Sequence, residues 1–128
     1  MRNKSGIKTQ SLGVTTQILA NVEMQASVGC VVLSTIGVNV GSQKIVKAGT
    51  PISINLLNLK TPAALATATV AMNAVLLHDV DVTDGNANGT ALIFGFVNVN
   101  RLETDVQTLV TTATGNANAS KQVVFLKV

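Results

Sequence analysis

Alternation of apolar and polar positions is the dominant pattern along the chain, and it predicts strands. The segment Ile18–Val40 carries apolar residues at alternate positions around Cys30, as in strands buried on one face. Residues Lys44–Ile54 predict a second strand interrupted by a turn at Ala48–Pro51, that is, a bent hairpin. Three further strands are predicted at Val75–Val82, at Thr90–Val99 with Leu92, Phe94 and Phe96 on one face, and at Gln122–Val128 as a closing strand.

Two segments carry helical signals. In Thr61–Ala74, a threonine followed by Pro62 fits an N-cap and first helical position, so we expect a short helix there. Glu103–Thr112 places apolar residues at helical spacing, with Thr104 as N-cap. The polar segment Thr83–Gly89 predicts a loop. Together these patterns predict a mainly β domain over residues 17–128 with one or two short helices.

The first sixteen residues, Met1–Thr16, lack a sustained apolar period, and we expect a flexible, extended N-terminal arm. Three of the nine basic residues, Arg2, Lys4 and Lys8, fall in the first ten positions, whereas the first acid is Glu23. The six bases that follow balance the six acids. Such a basic arm suits an acidic surface or a nucleic acid, and a solvated tail is the alternative.

Composition narrows the partner classes. The 128 residues have a net charge of +3 and contain three phenylalanines but no tryptophan or tyrosine, so platforms for stacking bases are lacking and we expect no nucleic-acid partner. Cys30, the one cysteine, allows no intrachain disulfide, and its apolar neighbours predict a buried strand position. No signal peptide is recognisable, and polar residues interrupt Thr61–Leu77, so we expect no membrane span and a soluble protein made in a cytoplasm.

Candidate chemistry is sparse. His78 is the one histidine, and its strand context predicts a half-exposed position at the edge of the core. Residues Asp84–Gly89 match the first half of a calcium loop, but Gly95 stands where that loop needs a bidentate glutamate. We therefore expect a plain hairpin loop, no metal and no cofactor. The residues favour a small structural or binding protein without a small-molecule substrate, rather than an enzyme.

The segment Ala74–Leu102 resembles the head decoration proteins of tailed phages, the family typified by the lambda decoration protein. The resemblance rests on an Asp-Val-Asp-Val-Thr-x-Gly element and a downstream Gly-x-Val strand, and Lys47–Ile52 is similar to the family's Gly-Thr-Pro turn. Asn55–Asn73 departs from the family spacing and resembles an insertion. The matched positions to which we assign structural roles are Gly49, Pro51, Asp79, Asp81, Thr83, Gly85 and Gly95.

The resemblance implies a β-clip-like mixed β barrel or bent ribbon that assembles as a homotrimer. It also implies a place in the virion, on the outer surface of an icosahedral capsid, with the major capsid protein as partner and capsid stabilisation as function. The arm would order on the capsid as an added strand. Its candidate capsid-binding residues are Arg2, Lys4, Ile7, Lys8, Thr9, Leu12 and Val14.

Two other functions remain open. One is a different phage surface module, such as the base of a head fibre. The other is a small nucleotide-hydrolysing enzyme on a bent-ribbon fold, which would need an acidic metal cluster. Asp79, Asp81 and Asp84 are the candidates for that cluster.

Overall fold

Two β-sheets and one α-helix make up the fold. The computed structural model describes residues 18–20 and 25–127. The strands are β1 (Ala26–Val32), β2 (Val38–Val40), β3 (Gln43–Val46), β4 (Pro51–Ser53), β5 (Ala64–Leu65), β6 (Ala74–Leu76), β7 (Val80–Asp81), β8 (Ala87–Asn98) and β9 (Val123–Leu126), and the helix is α1 (Thr104–Thr114). Short 3₁₀ turns lie at Ser34–Ile36 and Val99–Arg101. The mainly β prediction is confirmed.

The large sheet has the strand order β1-β8-β6-β4-β5, with β9 also paired to β8, and the small sheet has the order β2-β3-β7. The sheets do not close into a barrel, so that part of the expectation is wrong. The predicted closing strand is confirmed as β9, which runs parallel to β8.

Strand β8 organises the large sheet because it has partners along its whole length. Its first part pairs with β1 and β6, both antiparallel, and Gly95–Asn98 pair with β9. Near the same end, Leu19 bridges to Val97, and the Ala20 amide donates to the Phe96 carbonyl oxygen at 2.8 Å. The first described residues of the chain are therefore bound to the central strand.

A β-bulge in β8 breaks the alternation that the sequence suggests. Ala26 lies opposite Phe94 and Ser27 opposite Leu92, which leaves Ile93 as an extra residue. The predicted common face of Leu92, Phe94 and Phe96 is wrong for this reason. Leu92 is fully buried, whereas 41% of Phe94 is exposed.

The chain crosses between the sheets at two places where the sequence predicted continuous elements. The two halves of Lys44–Ile54 do form strands, but β3 pairs in the small sheet and β4 in the large one, so the predicted hairpin is wrong. Val75–Val82 likewise divides into β6 and β7, which belong to different sheets.

The helix predicted over Thr61–Ala74 is wrong; the segment contains β5 and the start of β6. The Ala63 amide donates to the Val31 carbonyl oxygen at 2.7 Å, and the Thr67 hydroxyl accepts hydrogen bonds from the amides of Thr69 and Val70. Threonine hydroxyls that bind nearby amides offer the backbone an alternative to the helix.

The second predicted helix is confirmed as α1, with Glu103 rather than Thr104 at the N-cap. Its buried residues Val106, Val110 and Ala113 form one face, which packs on a cluster that includes Ile18. A second apolar cluster lies between the two sheets. It contains Val46 at the end of β3 and Val82 just after β7, together with residues of the large sheet. Burial of one such aliphatic side chain contributes about 1.5–3 kcal/mol.

Cys30 belongs to the second cluster and is buried, as predicted. Burial raises the pKa of its thiol above the ordinary value, because the charged thiolate is disfavoured away from water.

Candidate functional site

The two segments that carry the family resemblance meet where the chain crosses between the sheets. We call this contact the crossing junction; it is formed by the segment Lys44–Pro51, which is the end of β3 and the turn after it, and by the segment Asp79–Gly85. The Ala48 amide donates to Oδ1 of Asp79 at 2.7 Å, and the Gly49 amide donates to the Leu76 carbonyl oxygen at 2.7 Å. The Asp79 carboxylate therefore caps the turn, which explains why an acid lies at that position.

Asp81 and Thr83 form the second contact of the junction. Oδ1 of Asp81 accepts hydrogen bonds from the Thr83 amide and hydroxyl, and Oγ1 of Thr83 accepts one from the Lys44 amide at 2.9 Å. The Thr83 hydroxyl, followed by the Thr83 amide, lowers the pKa of Asp81, because both donors stabilise the carboxylate. The pair thus links the end of β7 to the backbone of β3.

Gly49 permits the close packing of the junction. Its φ is +90°, and a Cβ atom at this position would lie 2.3 Å from Cδ2 of Leu102. Pro51 is buried at the start of β4, and Gly85 ends a turn in which its amide donates to the Val82 carbonyl oxygen at 3.2 Å. Gly95 lies apart from the junction, in β8 opposite Val123. Of the seven motif positions, Asp79 binds the turn that contains Gly49 and Pro51, and Asp81 and Thr83 bind β3, whereas Gly85 forms a local turn and Gly95 lies in β8.

Lys47 connects the junction to the start of α1, a contact that the sequence analysis missed. Its Nζ lies 3.1 Å from Oε1 of Glu103 and 3.1 Å from Oδ2 of Asp105. The hydrogen bond to Asp105, followed by the one to Glu103, raises the pKa of Lys47 above its ordinary value. The signal was present as two acids around the predicted helix start, but only the fold brings the lysine to them.

The residues Asp84–Gly89, which match the first half of a calcium loop, do not form one loop, because the last three belong to β8. Strand β8 begins at Ala87, so the predicted loop Thr83–Gly89 is too long by three residues. Oδ1 of Asn86 accepts a hydrogen bond from the Ser34 amide at 2.8 Å. Within residues 18–20 and 25–127, no three His, Cys, Asp or Glu side chains are grouped to hold a metal ion.

The side chains considered for catalysis, His78, Cys30 and the aspartates, lie in different environments and do not form one site among the described residues. His78 is exposed and lies on the bend between β6 and β7 rather than in a strand as predicted, whereas Cys30 is buried. The Asp79 carboxylate accepts a hydrogen bond from the Ala48 amide, and the Asp81 carboxylate accepts one from the Thr83 amide. Asp79 thus binds a backbone amide, and Asp81 binds a backbone amide together with the side chains of Thr83 and Gln43. That the protein is not an enzyme stays a prediction.

Exposed apolar side chains are the main surface feature that the sequence analysis did not identify. In the turn Asn55–Asn58, 98% of Leu57 and 54% of Leu56 are exposed. The turn is ordered by the Asn58 amide, which donates to the Asn55 carbonyl oxygen at 3.0 Å, and it belongs to the segment identified as an insertion. The other large exposed apolar residues are Val38, Val40, Val70, Phe94, Val124 and Leu126.

The predicted arm lies outside the described residues, and with it the candidates Arg2, Lys4, Ile7, Lys8, Thr9, Leu12 and Val14. The described chain starts at Ile18, which is buried in the core. Among the described residues, no helix is long and apolar enough to cross a membrane.

Comparison of the chain with protein-family models, with curated proteins and with solved structures finds no match.

Proposed function

We propose that the protein is a structural virion protein that binds the outside of an icosahedral phage capsid as a homotrimer and stabilises it. The observation that carries the proposal is the crossing junction. The Gly-Thr-Pro turn and the Asp-Val-Asp-Val-Thr segment, two separate parts of the family resemblance, contact each other through the Ala48–Asp79 hydrogen bond, and Thr83 of the second segment also accepts a hydrogen bond from Lys44 of the adjoining β3. Motif residues that jointly hold one piece of scaffold are expected when the motif specifies a fold rather than a reaction.

The entry of the chain into the body supports attachment through the N-terminal segment. The Asn98 amide donates to the Ile18 carbonyl oxygen at 2.8 Å, and Leu19 bridges to Val97. The described residues that follow the arm are therefore bound to β8. Three such segments on one trimer combine weak contacts into stable attachment, because the second and third contacts form at high effective concentration.

The exposed apolar surface supports association of the body. A pair of leucines on an ordered turn, with Leu57 almost fully exposed, is unusual for a protein that acts as an isolated monomer. Trimerisation or capsid binding would remove such side chains from water, and each buried leucine would contribute about 1.5–3 kcal/mol.

The test compares the full chain with a variant that lacks residues 1–16. We expect light scattering to give a mass of about three chains for both, since Met1–Thr16 has no sustained apolar period to add to a core. Sedimentation with purified undecorated phage capsids should carry down the full chain at high occupancy and leave the truncated chain in solution.

A charge-matched pair of variants separates the arm's charge from its length. R2A/K4A should bind capsids more weakly at low salt and lose less of its remaining binding with added salt than the control K44A/K60A, because the control keeps the arm's exposed charges and salt screens their contacts. Full occupancy by the truncated chain would show that attachment lies in the body. Binding confined to a few sites per particle would favour a head-fibre module, and hydrolysis of a nucleoside triphosphate would favour the enzyme.

A further inference from the structure

An apolar groove of about 440 Å³ runs between α1 and β9. Its floor includes Met72, Val110 and Val123, and polar residues of α1, among them Thr111, line one wall. Phe125 lines the other side and is half-buried. The groove lies apart from the crossing junction.

One edge of strand β9 along this groove has no strand partner among the described residues. The Gly95 amide donates to the Gln122 carbonyl oxygen, which directs the backbone groups of Gln122 toward β8. Because these groups alternate along a strand, those of Val123 and Phe125 point to the opposite edge. Among the described strands, β9 pairs only with β8, so this edge is open to an added strand.

The groove is positively charged at both ends. Lys121 precedes β9 and Lys127 follows it, and both line the groove, whereas no aspartate or glutamate does. Within the described part of the chain neither lysine forms an ion pair, in contrast to Lys47. At about 3.3 Å per residue, the two lysines are spaced for carboxylates near the ends of a seven-residue extended segment.

We propose that this groove binds an extended acidic segment of another polypeptide as an added strand on β9. The segment has aliphatic side chains at alternate positions, which enter the groove, and carboxylates at its two ends, which pair with Lys121 and Lys127. Strand addition supplies backbone hydrogen bonds, and the two lysines select for acidic ends.

Charge excludes the protein's own N-terminal segment as the preferred occupant. Residues 1–16 contain Arg2, Lys4 and Lys8 and no acid, so they would place further positive charge beside the lysines. The partner must supply the acids. If the proposed function holds, this partner is the capsid protein, and the groove is a second capsid contact besides the arm. That identification rests on the proposed function, whereas the binding of an acidic segment by the groove is independent of it.

The test measures fluorescence anisotropy of a labelled peptide, acetyl-Glu-Val-Thr-Val-Thr-Val-Glu-amide, titrated with the full chain at low salt. We expect saturable binding, and binding at least about tenfold weaker for the same peptide with lysines in place of its glutamates. Peptides N-methylated on alternate residues test strand addition. One set of methyl groups should weaken binding at least about tenfold and the other less than about threefold, because only one edge of the peptide faces β9.

A double charge reversal tests the two lysines. K121E/K127E should weaken binding of the acidic peptide at least about tenfold and favour the lysine peptide, whereas K44E/K60E, with the same change in net charge, should change it less than about threefold. If charge reversal lowers the melting temperature, the neutral variant K121Q/K127Q replaces it, and it should also weaken binding of the acidic peptide.

Equal binding of both peptides, equal loss in both double variants, or tolerance of both N-methylated sets would overturn the proposal. So would competition by a peptide of residues 1–16 that exceeds competition by the acidic peptide. The titration needs no capsids, so its outcome is independent of the sedimentation experiment. Peptide binding without capsid binding would retain the groove and remove the capsid protein as its partner.

Discussion

Two successive turns of the chain have similar backbone hydrogen bonds and opposite surroundings. In Lys47–Pro51, the Thr50 amide donates to the Lys47 carbonyl oxygen at 3.2 Å, and in Asn55–Asn58 the Asn58 amide donates to Asn55 at 3.0 Å. The first turn is enclosed by Asp79 and Leu102. The second extends Leu56 and Leu57 into solvent. Local geometry forms both turns, but only the contacts from distant residues make the first one part of the architecture.

The largest expected effect follows from filling the enclosed turn. Gly49→Ala should lower the free energy of unfolding by about 2–4 kcal/mol, because a Cβ at φ +90° is strained and meets Leu102 at 2.3 Å. That corresponds to a fall of about 10 °C in melting temperature.

Gly41→Ala is the matched control for this effect. Gly41 has φ +62° but open space around its Cβ position, so only the backbone penalty of about 1–2 kcal/mol applies. Equal losses in the two variants would mean that the contact with Leu102 contributes nothing. Calorimetry measures both.

Removal of the cap from the enclosed turn should have the next largest effect. Asp79→Ala leaves the Ala48 amide without its acceptor and should lower the free energy of unfolding by about 1–2 kcal/mol. Asp84→Ala, at an exposed position of the same segment, should stay within about 0.5 kcal/mol. Urea titration of both variants checks the difference, and an equal response would show that Asp79 does not hold the turn.

The other contact of the junction should respond to acid. The folded protein holds the pKa of Asp81 below its ordinary value of 3.8, so the carboxylate stabilises the fold above that pH. This contribution is lost as pH falls through the lower, folded pKa. Asp81→Asn should therefore weaken the loss of stability between pH 5 and pH 2, measured as urea midpoints. Asp84→Asn, which removes the same charge but none of the hydrogen bonds with Thr83, is the control.

The smallest expected effect on stability is at the exposed turn. Leu57→Ser should change the melting temperature by no more than about 2 °C, because the side chain is 98% exposed. Its effect on association should be larger if the turn contacts another molecule. Light scattering measures the association of Leu57→Ser, with Gly41→Ala as the control, and thermal unfolding measures its stability. A large fall in the melting temperature of Leu57→Ser would show that Leu57 is packed in the assembled protein.

The elements that were predicted well are those whose signals are local. Helix α1 has its apolar face at helical spacing, and β9 is a short apolar run next to a polar loop. The errors occur where distant residues decide the structure. Val31 accepts the Ala63 amide and Ile52 pairs with Leu65, which draws the predicted helix into strands.

The candidate site was predicted as residues but not as an arrangement. Asp79 and Asp81 were identified from the motif. The bond between Asp81 and Thr83 is local, whereas the bond between Ala48 and Asp79 depends on the two crossings between the sheets. The contact of Lys47 with Glu103 joins segments that no local pattern connects. The groove beside β9 was not predicted, because it is formed by the packing of α1 against a strand that follows it.

The pairing of β1 with β8 has a consequence for synthesis of the chain. Cys30 lies opposite Gly89, so the apolar strand β1 leaves the ribosome long before its partner exists. At about 5–20 residues per second, this interval is about 3–12 s. Throughout it, the apolar sequence Val28–Leu33 lacks its main strand partner in the nascent chain. Strand β9, by contrast, follows β8 after a single helix, and it finds its partner already made.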